Sequence, residues 1–192
     1  MSAIILASGS PRRRELLEQI HLPFEVLSPD VDESADSMPP QALVQLLSQR
    51  KAAAVAQRRP EAIVIAADTV VALEDEVLGK PRDAADAARM LGQLSGREHS
   101  VYTGFTVRQG ARSVTCAEQT VVTFRPLLPE EIERYVASGE PMGKAGAYGV
   151  QGLGRLFVER LDGDYYNVVG LPVCRLSKLL QNLAPEWMED GK

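Results

Sequence analysis

The sequence predicts an α/β fold: a single domain with a central mixed β-sheet flanked by helices. Three observations carry this reading. Segments of helical periodicity alternate with short apolar runs along the whole chain. One run, 62–67, is continuously apolar, as in a strand buried on both faces, whereas others alternate around turn signals as hairpins do. No linker, internal repeat or low-complexity block interrupts the pattern, so residues 1–192 are expected to form one domain.

The elements follow in order. Residues 3–7 are a strand, Ser8-Gly9-Ser10-Pro11 a tight turn, and Arg12 to Ile20 a helix with Ser10 as N-cap and Pro11 at its first position. A second helix runs from about Pro40 to Arg58, with Leu43, Leu46, Leu47 and Val55 on one stripe and Pro60 as its stop. The strand 62–67 ends at Asp68, and residues 70–73 and 77–78 form a hairpin around Glu74-Asp75. Asp83 caps a third helix that closes at Ser95-Gly96. Runs 101–107 and 114–124 flank the Gln109-Gly110 turn as a second hairpin. Leu128-Pro129-Glu130-Glu131 opens a helix with two acids in its first turn, and Gly139 closes it. Runs 156–161 and 165–169 flank Asp162-Gly163-Asp164 as strands around a turn. Val173 to Leu183 is an amphipathic helix, and the polar tail from Glu186 is expected to fray.

Composition limits the function classes. The chain has 192 residues with a formal net charge of −5, which argues against a general binder of nucleic acid. No apolar run approaches the ~18 residues of a membrane span, and the first residues lack a basic segment followed by a long apolar one. A soluble, cytoplasmic protein without membrane attachment is expected. The two cysteines, Cys116 and Cys174, form no Cys-x-x-Cys pair and are read as structural thiols.

Chemistry concentrates in a few segments. Ser8-Gly9-Ser10-Pro11-Arg12-Arg13-Arg14 places three arginines in the first turn of a helix, where each misplaced cation costs roughly 0.3–1 kcal/mol. An anion held by free backbone N–H groups, serine hydroxyls and guanidinium forks reverses that sign, and phosphate is the natural guest. A merely solvated charge run is the alternative. No Walker loop occurs. Asp68 falls at a strand's carboxyl edge, where open α/β sheets bind ligands. A hairpin centred on Glu74-Asp75 pairs residues whose numbers sum to about 149, which sets Asp68 almost opposite Lys80 for a shared cleft or for a structural ion pair. Lys51 follows Leu43 and Leu47 at four-residue steps, so it points along the apolar stripe, either snorkelling out or reaching a phosphate. Asp32-Glu33 offers loop oxygens of the kind Mg²⁺ takes together with substrate phosphates, or simply solvating charge. Between Gly139 and Gly154 lie six glycines around Lys144, Tyr148 and Gln151; they allow backbone close to a ligand, with the Gln151 amide placed to read a base edge, or they serve turns and bulges. His21 and His99 have no ligand partners at metal-binding spacing.

Seven ordered stretches together resemble the Maf family of nucleoside triphosphate pyrophosphatases. They are Leu6-Ala7-Ser8-Gly9-Ser10-Pro11-Arg12-Arg13, Val31-Asp32-Glu33, Arg50-Lys51-Ala52, Ala67-Asp68-Thr69-Val70, Gly79-Lys80-Pro81, the run from Lys144 to Gly152, and Val169-Gly170-Leu171-Pro172. The resemblance implies a Maf/ITPase-like fold, often a homodimer. It implies hydrolysis of a nucleotide to monophosphate and pyrophosphate with a divalent cation, Mg²⁺ or Mn²⁺. It also makes Asp68 the proton acceptor and Arg12, Thr69 and Gln151 the specificity positions, with Ser8, Arg13, Glu33, Lys51 and Lys80 lining the polar pocket. Ser-Pro-Arg-Arg, Ala-Asp-Thr and Gly-Ala-Tyr-Gly-x-Gln-Gly resemble the branch acting on dTTP and UTP. Leu46-Leu47-Ser48 departs from the Arg-Leu-Ala of many relatives, which removes one basic contact but not Lys51.

The residues and the resemblance meet in one reaction. Water attacks the α-phosphorus of a bound triphosphate, Asp68 takes its proton, and Arg12, Arg13, Lys51, Lys80 and a cation held by Glu33 match the phosphate charge. Alternatively, Asp68 is itself a metal ligand and a metal-held hydroxide attacks. Two rival functions stay open: a nucleotide-binding regulator of cell division without significant turnover, and a nucleic-acid binder using Arg12 to Arg14.

Overall fold

The computed structural model describes residues 2–74 and 76–183. Asp75, half of the expected first hairpin turn, and the expected frayed tail from Glu186 lie outside the described residues. The chain divides into two compact units, one of residues up to Asp68 with 103–118 and from Gly170 on, the other of 69–102 and 119–169.

In the first unit, β1 (Ile4–Ala7) is fully buried and leads through Ser8-Gly9-Ser10 into α1 (Pro11–Gln19). Pro11 takes the first helical position, where its missing N–H costs nothing. The Ser10 side chain does not cap the helix; its N–H instead donates to Ser8 Oγ at 3.2 Å. The short β2 (Glu25–Val26) pairs parallel with β1, and its two exposed residues gave no strand signal. The helix α2 (Pro40–Arg58) buries Val44, Leu47, Ser48, Ala52, Val55 and Ala56. That face is rotated from the expected stripe, for Leu43 and Leu46 are only half-buried.

The strand β3 (Ile63–Leu73) is longer than predicted and does not end at Asp68. Its first part pairs parallel with β1, from Ile4 opposite Ile63 to Ala7 opposite Ala66. Asp68 therefore lies in mid-strand but just beyond the carboxyl end of β1, so the expected edge exists on one side only. Small residues make the core here: Ala7, Ala52, Ala56 and Ala66 sit with Ile5, Val55 and Val64, and so let α2 lie close to β1 and β3. Gly104, on the strand segment 103–109 of this unit, lets α2 touch the sheet: a Cβ there would lie 2.3 Å from the Val44 carbonyl. The helix α6 (Val173–Leu183) has the predicted bounds and buries Leu176 and Leu180.

The second unit begins on β3. Its ladder with β4 (Glu76–Leu78) pairs Val71 with Leu78 and Leu73 with Glu76, the register expected. Asp83 caps α3 (Ala84–Leu94), its carboxylate accepting the Asp86 N–H at 2.8 Å. The strands β5 (Glu98–Gln109) and β6 (Arg112–Phe124) form the predicted hairpin and run longer than expected. The helix α4 (Pro129–Ala137) carries Glu130 and Glu131 in its first turn and closes at Gly139, which takes φ +75°.

Residues 145–147 and 153–157 form short 3₁₀ turns before β7 (Val158–Asp162). The predicted strand at 165–169 is instead a helical turn, α5 (Tyr165–Val169). Asp164 starts it by accepting the Tyr166 N–H at 2.8 Å, a local cap that overrides the β preference of tyrosine and valine.

The seven-stranded sheet is mixed, in the order β2-β1-β3-β5-β6-β7 with β4 on β3. No described helix is long and apolar enough to cross a membrane. Both cysteines are free thiols, Cys116 half-buried and Cys174 exposed.

Candidate active site

In the first unit, five of the expected site residues come together. Ser8 leaves the end of β1 almost fully buried, and its Oγ accepts the Ser10 N–H and, at 3.1 Å, Arg13 Nη1. Arg13 Nε donates to the Gly170 carbonyl at 2.8 Å, so two atoms of one guanidinium are held and its plane is fixed. Burial pushes the Arg13 pKa down to about 10, opposed by the nearby Asp68 and Glu33 carboxylates and reinforced by Arg12. The group stays cationic at neutral pH. Of the three arginines, Arg14 turns away to pair with Glu18 in solvent.

Lys51 projects from the buried face of α2. Its Nζ lies 2.5 Å from Asp68 Oδ1 and 2.7 Å from Glu33 Oε1. The Lys51 and Asp68 side chains are only 12% and 13% exposed, whereas Glu33 is 53% exposed. One ammonium thus bridges a largely buried carboxylate to a half-exposed one. Sequence placed Lys80 opposite Asp68, but the β3–β4 ladder stops at Leu78, so Gly79 and Lys80 leave the sheet, and the ammonium on Asp68 is that of Lys51.

Glu33 sits on an irregular loop that needs an external brace. Arg50, one residue before Lys51, supplies it by donating to the carbonyls of Asp32 at 3.0 Å and Ser34 at 2.6 Å. The Asp32 side chain accepts the Ser34 N–H at 2.8 Å, and hydrogen bonds from the Ser34 side chain and then its backbone hold its pKa below the usual carboxylate range. Sequence reasoning missed Arg50. Its only signal was its place beside Lys51, which does not reveal a grip on backbone eighteen residues away.

Arg12, half-buried on α1, also belongs to the first unit, and the other three expected site residues belong to the second. Thr69 is half-buried on β3, Lys80 is exposed after β4, and Gln151 is half-buried in the glycine-rich segment. That segment is tied down on both flanks. The Gly146 N–H donates to the Gly79 carbonyl, and Gly146 needs its positive φ and its bareness because a Cβ would meet Val71 at 2.8 Å. Tyr148 is buried, and its hydroxyl shares a 2.8 Å hydrogen bond with His99 Nε2. Burial lowers the His99 pKa to about 4 and raises that of Tyr148, so both stay neutral over the physiological range. Among the described residues, no cluster of three or more His, Cys, Asp or Glu side chains is placed to hold a metal ion.

A fixed guanidinium, a bridging ammonium and a largely buried carboxylate grouped in this way can hold a polyanion and take a proton beside it. The chain is 53% identical over 183 residues to the dTTP/UTP pyrophosphatase of Symbiobacterium thermophilum, covering 94% of this chain and 93% of that protein. To the dTTP/UTP pyrophosphatase of Moorella thermoacetica it is 54% identical over 184 residues, 94% of each. Among solved structures, a nucleoside-triphosphatase / dITP/XTP pyrophosphatase from Mycobacterium abscessus matches at 16% identity and a TM-score of 0.46, over 95% of this chain and 99% of that one. The family described as Maf-like protein matches residues 3–183, and this chain belongs to the Maf family.

Proposed function

We propose that this chain hydrolyses nucleoside triphosphates, dTTP and UTP first among them, to the monophosphate and pyrophosphate. The observation that carries the reading is the Asp68–Lys51–Glu33 bridge beside the fixed Arg13 guanidinium. The names and identities of the relatives support the substrate class.

In this reading Ser8, Arg12, Arg13, Lys51 and Lys80 match the charge of the triphosphate, which only anion-binding groups held in place can do without reorganising. Lys51 takes Asp68 Oδ1, leaving Oδ2 to accept a proton from water. The water oxygen bonds to the α-phosphorus, the bridging P–O bond to the β-phosphate breaks, and pyrophosphate leaves with that bond's electron pair. Thr69, Gln151 and Arg12 set the base preference. A divalent cation would rest on Glu33, a hard oxygen donor that suits Mg²⁺ or Mn²⁺ when phosphate oxygens and waters complete the shell. Bound there, it would neutralise phosphate charge. The same reading takes residues 1–192 as one Maf-like domain, a cytoplasmic protein and a homodimer; light scattering tests the last.

The experiment is pyrophosphate release from a panel of triphosphates with and without Mg²⁺ or Mn²⁺. Turnover of UTP and dTTP well above purine triphosphates is the expected result. Tight nucleotide binding with no pyrophosphate released from any substrate would overturn the reading.

A further inference from the structure

Gln151 lies at the middle of a turn whose backbone is gripped on both sides by one pair of side chains. Glu140, just after α4, has its carboxylate inserted into the segment. Its Oε2 accepts the Leu153 N–H at 2.8 Å and its Oε1 the Gly154 N–H at 3.2 Å. Oε1 also accepts the Tyr135 hydroxyl at 3.0 Å, and that oxygen in turn accepts the Gly149 N–H at 3.3 Å. The grip therefore reaches two residues before Gln151 and two and three residues after it.

Glycines make room for it. A Cβ on Gly152 would lie 2.2 Å from Glu140 Oε1, so the carboxylate occupies the space a side chain would need. A Cβ on Gly154 would lie 2.8 Å from the Tyr135 hydroxyl. The Lys144 ammonium closes the arrangement by donating to the Glu140 carbonyl. Burial alone would raise the Glu140 pKa, but the donated hydrogen bonds outweigh it and hold the group below the usual carboxylate range.

We propose that Glu140 is a positioning residue for Gln151: acting with Tyr135, it pins the backbone on either side of the glutamine and so sets the direction of the amide that discriminates between bases. The inference rests on the base-reading role given to Gln151 above. Both Glu140 oxygens act as acceptors here. A glutamine of the same shape would turn an NH₂ against at least one backbone N–H, which breaks the grip without changing its volume.

The test uses the full-length protein with UTP and CTP, which differ at the base edge an amide can read. Glu140→Gln is expected to lower the UTP-to-CTP ratio of kcat/KM by about tenfold, through KM for UTP, with kcat within about threefold, as loss of an orienting charged hydrogen bond would do. Gln151→Ala should lower the ratio equally, and the double variant should be no worse than Gln151→Ala alone. Tyr135→Phe, which removes only the hydroxyl, should act in the same direction and decides the matter if Glu140→Gln does not fold. If Gln151→Ala lowers the ratio while Glu140→Gln or, failing that, Tyr135→Phe leaves it intact, or if the losses add, the inference falls and the reading of Gln151 stands. If Gln151→Ala leaves the ratio unchanged, both fall.

Discussion

Replacing Lys51 by methionine keeps an unbranched apolar stem and removes the charged end, leaving Asp68 facing Glu33 with no ammonium between them. Stranding one member of a fully buried ion pair costs roughly 3–5 kcal/mol. Here Asp68 keeps 13% of its side-chain surface and Glu33 is 53% exposed, so water relieves part of that cost. The expected destabilisation is about 2–3 kcal/mol. Asp68→Asn should cost only about 1 kcal/mol, because Lys51 keeps Glu33 as its counter-charge. The double variant Lys51→Met/Asp68→Asn leaves only a half-exposed carboxylate and should regain about 1 kcal/mol over the sum of the singles. Urea unfolding followed by circular dichroism at pH 7 reads all three. A Lys51→Met variant within about 0.5 kcal/mol of wild type, or strictly additive losses, would refute the assignment of the ammonium as the charge balance of the site.

Four further outcomes are expected. His99, 3% exposed and with its pKa lowered by burial to about 4, binds its proton in the unfolded chain at an ordinary value of about 6.5. Its contribution is therefore complete above that value and is lost as pH falls, by about 2 kcal/mol between pH 7 and pH 5. His99→Gln should flatten the unfolding free energy over that interval, and an unchanged slope would count against the buried neutral imidazole. Glu131, held near pKa 2 by Arg125 and the Leu128 N–H, acts only lower, its contribution fading as pH falls from the ordinary carboxylate value through about 2. Gly104→Ala forces a methyl into the Val44 backbone and should cost about 1–3 kcal/mol in urea unfolding, while displacing the helix that carries Lys51. Arg13→Lys keeps the charge but cannot hold both Ser8 Oγ and the Gly170 carbonyl, so KM for UTP should rise about tenfold in initial-rate assays; an unchanged KM would remove Arg13 from phosphate binding.

Much of the fold was legible because local chemistry and tertiary packing agree. The bounds of α6 and the cap of α3 followed from periodicity and side-chain type. The register of the β3–β4 hairpin followed from its turn alone. Lys51 was legible for the same reason: the face of a helix is fixed by spacing, and Lys51 does point with the apolar face.

The misreadings arise where a single side chain redirects the backbone. Asp68-Thr69 broke the apolar run and was read as the end of a strand that continues through it, since its second half is held by β4 rather than by β1. The carboxylate of Asp164 turned an expected strand into α5. The partner of Asp68 was misassigned because hairpin arithmetic assumes the ladder continues, and it stops at Leu78. Arg50 and Glu140 act on backbone N–H and carbonyl groups far along the chain, a kind of contact that residue type and spacing do not encode.

The central claim is that Asp68 takes the proton of the attacking water while other groups hold the nucleotide. Its most direct test pairs two readings on Asp68→Asn: pyrophosphate release from UTP and the calorimetric Kd for the same nucleotide. Turnover should fall by roughly 10²–10⁴-fold with Kd within about threefold of wild type. Turnover within about tenfold of wild type, or loss of binding in step with loss of turnover, would contradict it.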